Sequence, residues 1–247
     1  MQENNNKALK RVVLLVVIVL PSVFYLLMTM GKHNFIYLPN IVVDNGEFKV
    51  DRNGSVYPEG LNYKIDIPSG TAMDLDLNEV MNLNQLPKKI YAVQFYEKDT
   101  AGILDASLFY KAQTQLAEKL RTFDEIELLT FYKSDSSDMI HSFFEKKLEK
   151  QFASWKHLKV APHVFDNLKN QMFIDPIKEI DRDDSRLFMI LDKNRQMRTG
   201  YDKQNENKYT FAYDVGREYP IKLLVEDLKV LLAEYKRELK SKKTNDE

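Results

Sequence analysis

Two histidines, His157 and His163, stand six positions apart around Val160-Ala161-Pro162, and Asp166 follows. Imidazole nitrogens and a carboxylate are zinc ligands, so the stretch is a candidate metal site. Its spacing is not a recognised zinc signature, and Pro162 interrupts it. A structural or surface role is the favoured reading. A second candidate is the acidic stretch Asp175, Asp181, Asp183 and Asp184, whose hard oxygens suit Ca²⁺. It lacks the alternating Asp-x-Asp-x-Asp-Gly loop that arranges oxygens around one ion, and Arg182 and Arg186 interleave it. A solvated turn is favoured there. No serine with a neighbouring histidine can be assembled, and no glycine-rich phosphate loop is present. The expectation is a non-enzyme with no cofactor and no metal site, in which His157, His163, Asp183 and Asp184 are weak metal candidates.

The cysteine count bounds the chemistry further. The 247 residues contain none. That excludes disulfides, thiol catalysis, thiolate metal sites and iron–sulfur clusters. With 36 basic and 37 acidic side chains the net charge is −1, and no nucleic-acid partner is expected without a basic face.

These residues must be positioned by an alternation of strands and helices. Residues 89–96 (KIYAVQFY) are rich in β-branched and aromatic residues and read as a buried strand. Residues 106–122 carry Leu108, Phe109, Ala112, Leu116 and Leu120 near helical spacing. Residues 125–132 (EIELLTFY) read as a second strand, and 136–152 as a helix with Met139, Ile140, Phe143, Phe144, Leu148 and Phe152 on one side. A short helix fits 164–172. A hairpin about Asp192-Lys193-Asn194 fits 186–191 and 196–201, and a final helix fits 220–239. The order implies a right-handed parallel crossover completed by a hairpin and a covering helix. That is an α/β, thioredoxin-like three-layer fold with a central mixed sheet. The segment EFKV at 47–50 is expected to pair with SVY at 55–57. In residues 202–218, Tyr209, Phe211 and Tyr213 alternate, and packing against the domain is favoured over exposure to a partner.

One segment points to a membrane. Residues 12–30 (VVLLVVIVLPSVFYLLMTM) are 19 uncharged residues. At about 1.5 Å per residue they match the roughly 30 Å hydrocarbon core. Lys7, Lys10 and Arg11 precede them, which places the N-terminus in the cytoplasm and the rest outside. The run is longer than a signal-peptide core, and no small-x-small cleavage pattern follows it. The expected organisation is a cytoplasmic N-terminus (1–11), a transmembrane anchor (12–30), a connector (31–62), a thioredoxin-like domain (63–235) and a charged, fraying tail (236–247).

Several segments, taken in order, resemble one family. They are GKHNFIYLP (31–39) after the anchor, KIDIP (64–68), KKIYAVQFY (88–96), EIELLTFYKSDSSD (125–138) and Trp155-Lys156-His157-Leu158. SRLFMILDKNRQMRTGYD (185–202) and the helix ending LLAEY (231–235) complete the set. Together they resemble the Sco/SenC group of membrane-anchored, thioredoxin-fold copper chaperones that assist cytochrome oxidase assembly. That family's chemistry needs a Cys-x-x-x-Cys loop and a distant histidine. Here the loop at 97–106 reads EKDTAGILDA, and the place of the histidine falls in 181–185, where Asp183 or Asp184 stands. Carboxylates are hard donors and do not replace thiolates around Cu(I). The resemblance therefore implies the fold and not the copper or redox chemistry. It implies a non-catalytic accessory or assembly factor in the bacterial inner membrane, with a periplasmic domain and a protein partner near a respiratory oxidase. The alternative is a metal-binding chaperone using His and Asp ligands.

Overall fold

The computed structural model describes residues 37–44, 47–51, 62–75, 77–96, 115–133, 154–174, 177, 184–201 and 209–245, with residues 17, 19–21 and 23. The chain divides into two compact units, Met1–Ile36 and Tyr37–Glu247. In the first, Val17, Val19, Leu20, Pro21 and Val23 are helical and exposed. The rest of the expected span 12–30 lies outside the described residues. Among the described residues no helix is long and apolar enough to cross a membrane.

In the second unit the strands are, in chain order, β1 (Asn40–Asp44), β2 (Glu47–Asp51), β3 (Thr71–Asp74), β4 (Glu79–Asn82), β5 (Ile90–Tyr96) and β6 (Ile126–Lys133). They continue as β7 (Trp155–Val160), β8 (Leu187–Leu191), β9 (Met197–Arg198), β10 (Gly200–Tyr201), β11 (Tyr209–Thr210) and β12 (Tyr213–Asp214). The helices are α1 (Pro162–Met172) and α2 (Glu218–Asn245), and residues 115–120 are also helical. The main sheet runs β2-β1-β9-β8-β5-β6-β7-β3-β4, with β12 also on β8.

Its centre follows from composition. All seven residues of β5 are buried, so the strand must be covered on both faces. It pairs in parallel with β6 from Ile90↔Ile126 to Tyr96↔Tyr132 and antiparallel with β8. The expected mixed sheet is present. On one face Ile90, Ala92, Ile126, Leu128 and Tyr132 pack with Leu116 and Leu120 and with Leu224, Leu228 and Leu231 of α2. On the other, Val93, Phe95, Leu129, Phe131 and Leu158 pack with Val164, Phe165, Leu168 and Met172 of α1. Phe95 stacks on Phe131 at 5.6 Å and meets Phe165 edge-on at 5.4 Å, each pair adding about 1 kcal/mol beyond burial. The β8–β9 hairpin turns where expected. Asp192 Oδ1 accepts the Asn194 and Gln196 amides at 2.8 and 2.9 Å. This side-chain-made turn holds Arg195 at a φ of 62°, a conformation L residues adopt uncommonly.

Four segments depart from expectation. EFKV does not pair with 55–57: β2 pairs with β1, Asp44↔Glu47 closing the hairpin. In the sequence Asn-Gly, the strongest short hairpin signal, stands between the two strands; residues 45–46 and 52–61 lie outside the described residues. β7 and the β3–β4 hairpin were not read as strands. The last helix continues beyond 239 to Asn245. The expected helix 136–152 lies outside the described residues. In the aromatic alternation Tyr213 is fully buried, and Phe211 packs against the core as a partly buried residue, as packing required.

Candidate functional site

Parallel strands offer ligands a place beyond their carboxyl ends, and here those ends belong to β5, β6 and β7. Side chains alternate between faces along a strand. Gln94 and Tyr96, Thr130 and Tyr132, and Trp155 and His157 therefore share the α2-facing side. Register sets Gln94 opposite Thr130, Tyr96 opposite Tyr132, and Thr130 opposite His157.

These buried polar groups are hydrogen-bonded in a line. Trp155 Nε1 donates to Thr130 Oγ1 at 2.9 Å. Thr130 Oγ1 donates to Gln94 Oε1 at 3.1 Å. Gln94 Nε2 donates to the carbonyl of Ser185. Beside this relay, Tyr132 Oη and His157 Nδ1 share a hydrogen bond of 2.8 Å, and the His157 ring lies 4.7 Å from Trp155. Gln94, Thr130, Tyr132, Trp155 and His157 are all buried. A buried polar group without a partner costs roughly 1–3 kcal/mol, so the relay is what allows polar residues in these apolar strands.

The relay fixes the position of the 3₁₀ turn Asp184–Arg186. Gln94 lies two residues before the end of β5, and its amide binds Ser185 in that turn. The end of β5 and the Asp184–Arg186 turn are thus at the same end of the sheet. The loop itself and Asp183 lie outside the described residues.

The sequence candidates are separated. His157 is buried on the α2-facing side of β7. His163 is exposed in the first turn of α1, on the opposite side of the sheet. Asp166 pairs with Lys133 at 2.9 Å. Among the described residues no group of three or more His, Cys, Asp or Glu is placed to hold a metal. Asp184 begins its 3₁₀ turn, next to Ser185 and the relay. What the arrangement does among the described residues is hold three strands and a turn in register.

A second buried polar cluster was not read from the sequence. Arg198 donates to Glu234 Oε2 at 2.7 Å, to Asp192 Oδ2 at 3.3 Å and to the Leu38 carbonyl. The Leu38 amide in turn donates to Glu234 Oε1. Burial pushes the Glu234 carboxyl up, while Arg198 and the Leu38 amide pull it back. A third pair joins Tyr213 Oη to Asp227 Oδ2 at 2.8 Å; burial, then the Asp227 charge, pushes this phenol well above its ordinary value. A charged residue in an otherwise apolar helical stripe was the available signal, at Asp227 and Glu234.

The central order β9-β8-β5-β6, two parallel strands followed by an antiparallel hairpin, decides the architecture. The domain is thioredoxin-like. No family model matches the chain, and no curated protein matches it. Among solved structures it is similar to BsSco, a member of the Sco family of cytochrome c oxidase assembly proteins. That match has 14% identity and a TM-score of 0.48, over 70% of this chain and 96% of that one. It is similar to Bradyrhizobium japonicum ScoI with copper bound at 12% identity and a TM-score of 0.42, over 68% and 99%. It is also similar to a SCO1/SenC family lipoprotein from Bacillus anthracis at 13% identity and a TM-score of 0.40, over 68% and 95%. At this level of likeness the fold assignment rests on the strand order.

Proposed function

We propose that this chain is a membrane-anchored, non-catalytic thioredoxin-like scaffold that acts as an accessory or assembly factor for a membrane protein complex. One observation carries the reading. The parallel pair β5–β6 leads to residues 97–106, the chain has no cysteine, and the described side chains at that end are used in the Trp155–Thr130–Gln94–Ser185 relay. A fold that has no chemistry at its site still presents surfaces, because function is grafted onto folds. BsSco belongs to a family of cytochrome c oxidase assembly proteins, and a respiratory oxidase is the partner class we assign by that likeness. Residues 12–30 are the anchor and the domain faces the periplasm, following the basic residues before the span.

The test is calorimetry of the full-length chain in mild detergent with Cu(I) and Zn(II). The expected result is no binding tighter than about micromolar, near −8 kcal/mol. Stoichiometric tight binding that disappears in His157→Ala or His163→Ala would overturn the scaffold reading and make the protein a metal carrier. Co-purification of a respiratory complex with the tagged chain from its own membrane is the expected positive result.

A further inference from the structure

We propose that β4 is a docking edge that takes an extended segment of a partner protein as one more antiparallel strand, with apolar and basic residues alternating in that segment. The proposal deepens the scaffold reading by naming the surface and the partner's chemistry. It rests on that reading only for the existence of a protein partner.

Among the described residues β4 ends the main sheet, beyond β7 and β3. The ladder fixes where its backbone points. Residues in an antiparallel pair alternate between bonded and non-bonded positions. The Leu83 amide donates to the Gly70 carbonyl at 3.1 Å, one step past Asn82↔Thr71. Met81↔Ala72 and Glu79↔Asp74 are therefore the bonded pairs. The other side of β3 agrees. The Leu75 amide donates to the His157 carbonyl at 2.8 Å, which turns the backbone of Met73 toward β7 and that of Ala72 and Asp74 toward β4. Val80 thus directs its N–H and C=O away from β3, and Asn82 directs its N–H the same way. A row of such groups along a sheet edge is a template for another strand.

The two ends of the sheet differ. β2, at the far end, carries Glu47, Lys49 and Asp51, and Lys49 pairs with Asp44 at 2.7 Å. Charges of this kind, prolines and bulges blunt an edge. β4 has no proline or lysine, and its four pairs with β3 run without a bulge. Val80 is 72% exposed, and Leu77, in the turn before it, 62%. Asp74 Oδ1 accepts the Leu77 amide at 3.3 Å, which ties that turn down.

Charge selects the occupant. Residues 71–82 hold Asp74, Asp76 and Glu79 and no basic residue. Asp74 and Glu79 stand directly opposite each other in the ladder, an arrangement of like charges that costs stability. Lys159 is opposite Met73, two strands inward of β4 and so about 10 Å away, on the face of Val80 rather than that of Glu79. A second copy of β4 would bring another acidic hairpin to the same edge. A strand with lysine or arginine opposite Glu79 relieves the acid pair, and the apolar residue next to it meets Val80. Main-chain bonds with alternating side-chain contacts are how a sheet edge recognises a peptide.

The probe is a dye-labelled, end-capped peptide, Lys-Val-Lys-Val-Lys-Val, added to the full-length chain in uncharged detergent and followed by fluorescence anisotropy. We expect saturable binding that weakens with salt and exceeds that of Glu-Val-Glu-Val-Glu-Val. Methylating the valine amides, which face β4 in this register, should weaken binding at least about tenfold, and methylating the lysine amides less than about threefold. Val80→Pro removes an outward donor and no ladder donor, a change that edge strands tolerate, and should also weaken binding at least about tenfold. Glu79→Lys should reverse the preference between the two peptides. Urea unfolding followed by Trp155 fluorescence checks that both variants fold. No binding, equal binding of the two peptides, or binding unaltered by Val80→Pro overturns the docking edge and leaves the scaffold reading standing. Self-association that Val80→Pro abolishes, without peptide binding, makes a second copy the occupant and overturns the partner strand. The two readings fail separately, because tight metal binding in the calorimetry above overturns the scaffold and leaves a peptide-binding edge in place.

Discussion

Arg198→Met removes the centre of a buried ion cluster and keeps most of its apolar stem. The side chain is 8% exposed. Its loss leaves the Glu234 and Asp192 carboxylates and the Leu38 carbonyl without their shared donor. Breaking one partner of a buried pair costs about 3–5 kcal/mol, and for a domain of this size each kcal/mol moves Tm by about 2–4 °C, so the expected fall is roughly 6–20 °C. The loss also depends on pH. Burial holds the folded Glu234 carboxyl above its ordinary value, so the folded state binds more protons there than the unfolded chain. Stability from this group is full below the unfolded value, about 4.3, and is lost as pH rises through the folded value. Arg198 is the largest influence pulling that carboxyl down. Removing it carries the folded value higher and extends the loss toward neutral pH. Arg198→Met should therefore be more destabilised at pH 8 than at pH 5, and Glu234→Gln in the same chain should restore part of the difference. The assay is urea unfolding of the full-length chain in detergent, followed by the fluorescence of its one tryptophan, the buried Trp155. A loss below about 1 kcal/mol, set against the buried-pair expectation and equal at both pH values, would refute the cluster's role.

Further predictions use the same unfolding assay. Tyr132→Phe removes the partner of His157 Nδ1 and should cost about 1–3 kcal/mol; no measurable change would mean that the bond contributes nothing to the sheet end. Gln94→Leu breaks the relay at its middle and should cost a similar amount, with Thr130→Val in the same background costing less than it does alone, because the pair is coupled. A methyl group at Gly200 would lie 2.2 Å from Asp227 Oδ2 and 2.3 Å from Tyr213 Oη, so Gly200→Ala should destabilise by about 1–3 kcal/mol or more. Gly216→Ala meets the Arg186 guanidinium, the far end of a flexible, partly exposed side chain, and should be the milder of the two; the reverse order would refute this packing argument.

The central sheet was legible because its strands are rich in β-branched and aromatic residues. KIYAVQFY read as a buried strand and EIELLTFY as a second, and a parallel pair joined through a helical pattern followed. The DKN turn was legible because Asp and Asn favour such turns. β7 was not, since WKHLKV interleaves Lys156 and Lys159 with buried residues and is short. The β1–β2 hairpin was missed although Asp44-Asn45-Gly46 announced a turn, because the strand after it was assigned to the next turn instead. The relay was hidden for a different reason. Gln94 and Thr130 read as lone polar residues in apolar runs, and their partnership depends on β5–β6 register and on Ser185, 91 residues away. Register is a tertiary fact. His157 and His163 looked like a pair in one dimension, and the sheet puts them on opposite sides.

The buried carboxylates explain why α2 sits where it does. Its apolar stripe, Leu224, Leu228 and Leu231, packs in much the same way after a shift of one turn, since leucine contacts are not directional. Asp227 and Glu234 are not interchangeable in that sense. They are seven residues apart, on one face of the helix, and each meets directional partners: Tyr213 for Asp227, and Arg198 with Leu38 for Glu234. A slip of one turn would take both acids away from these partners, at several kcal/mol each. The leucines thus supply the burial, and the two acids select one register from those the leucines permit. That selection fixes Leu38 to the last packed turn of α2. Buried polar groups therefore set the position of α2 and of Leu38 in the domain.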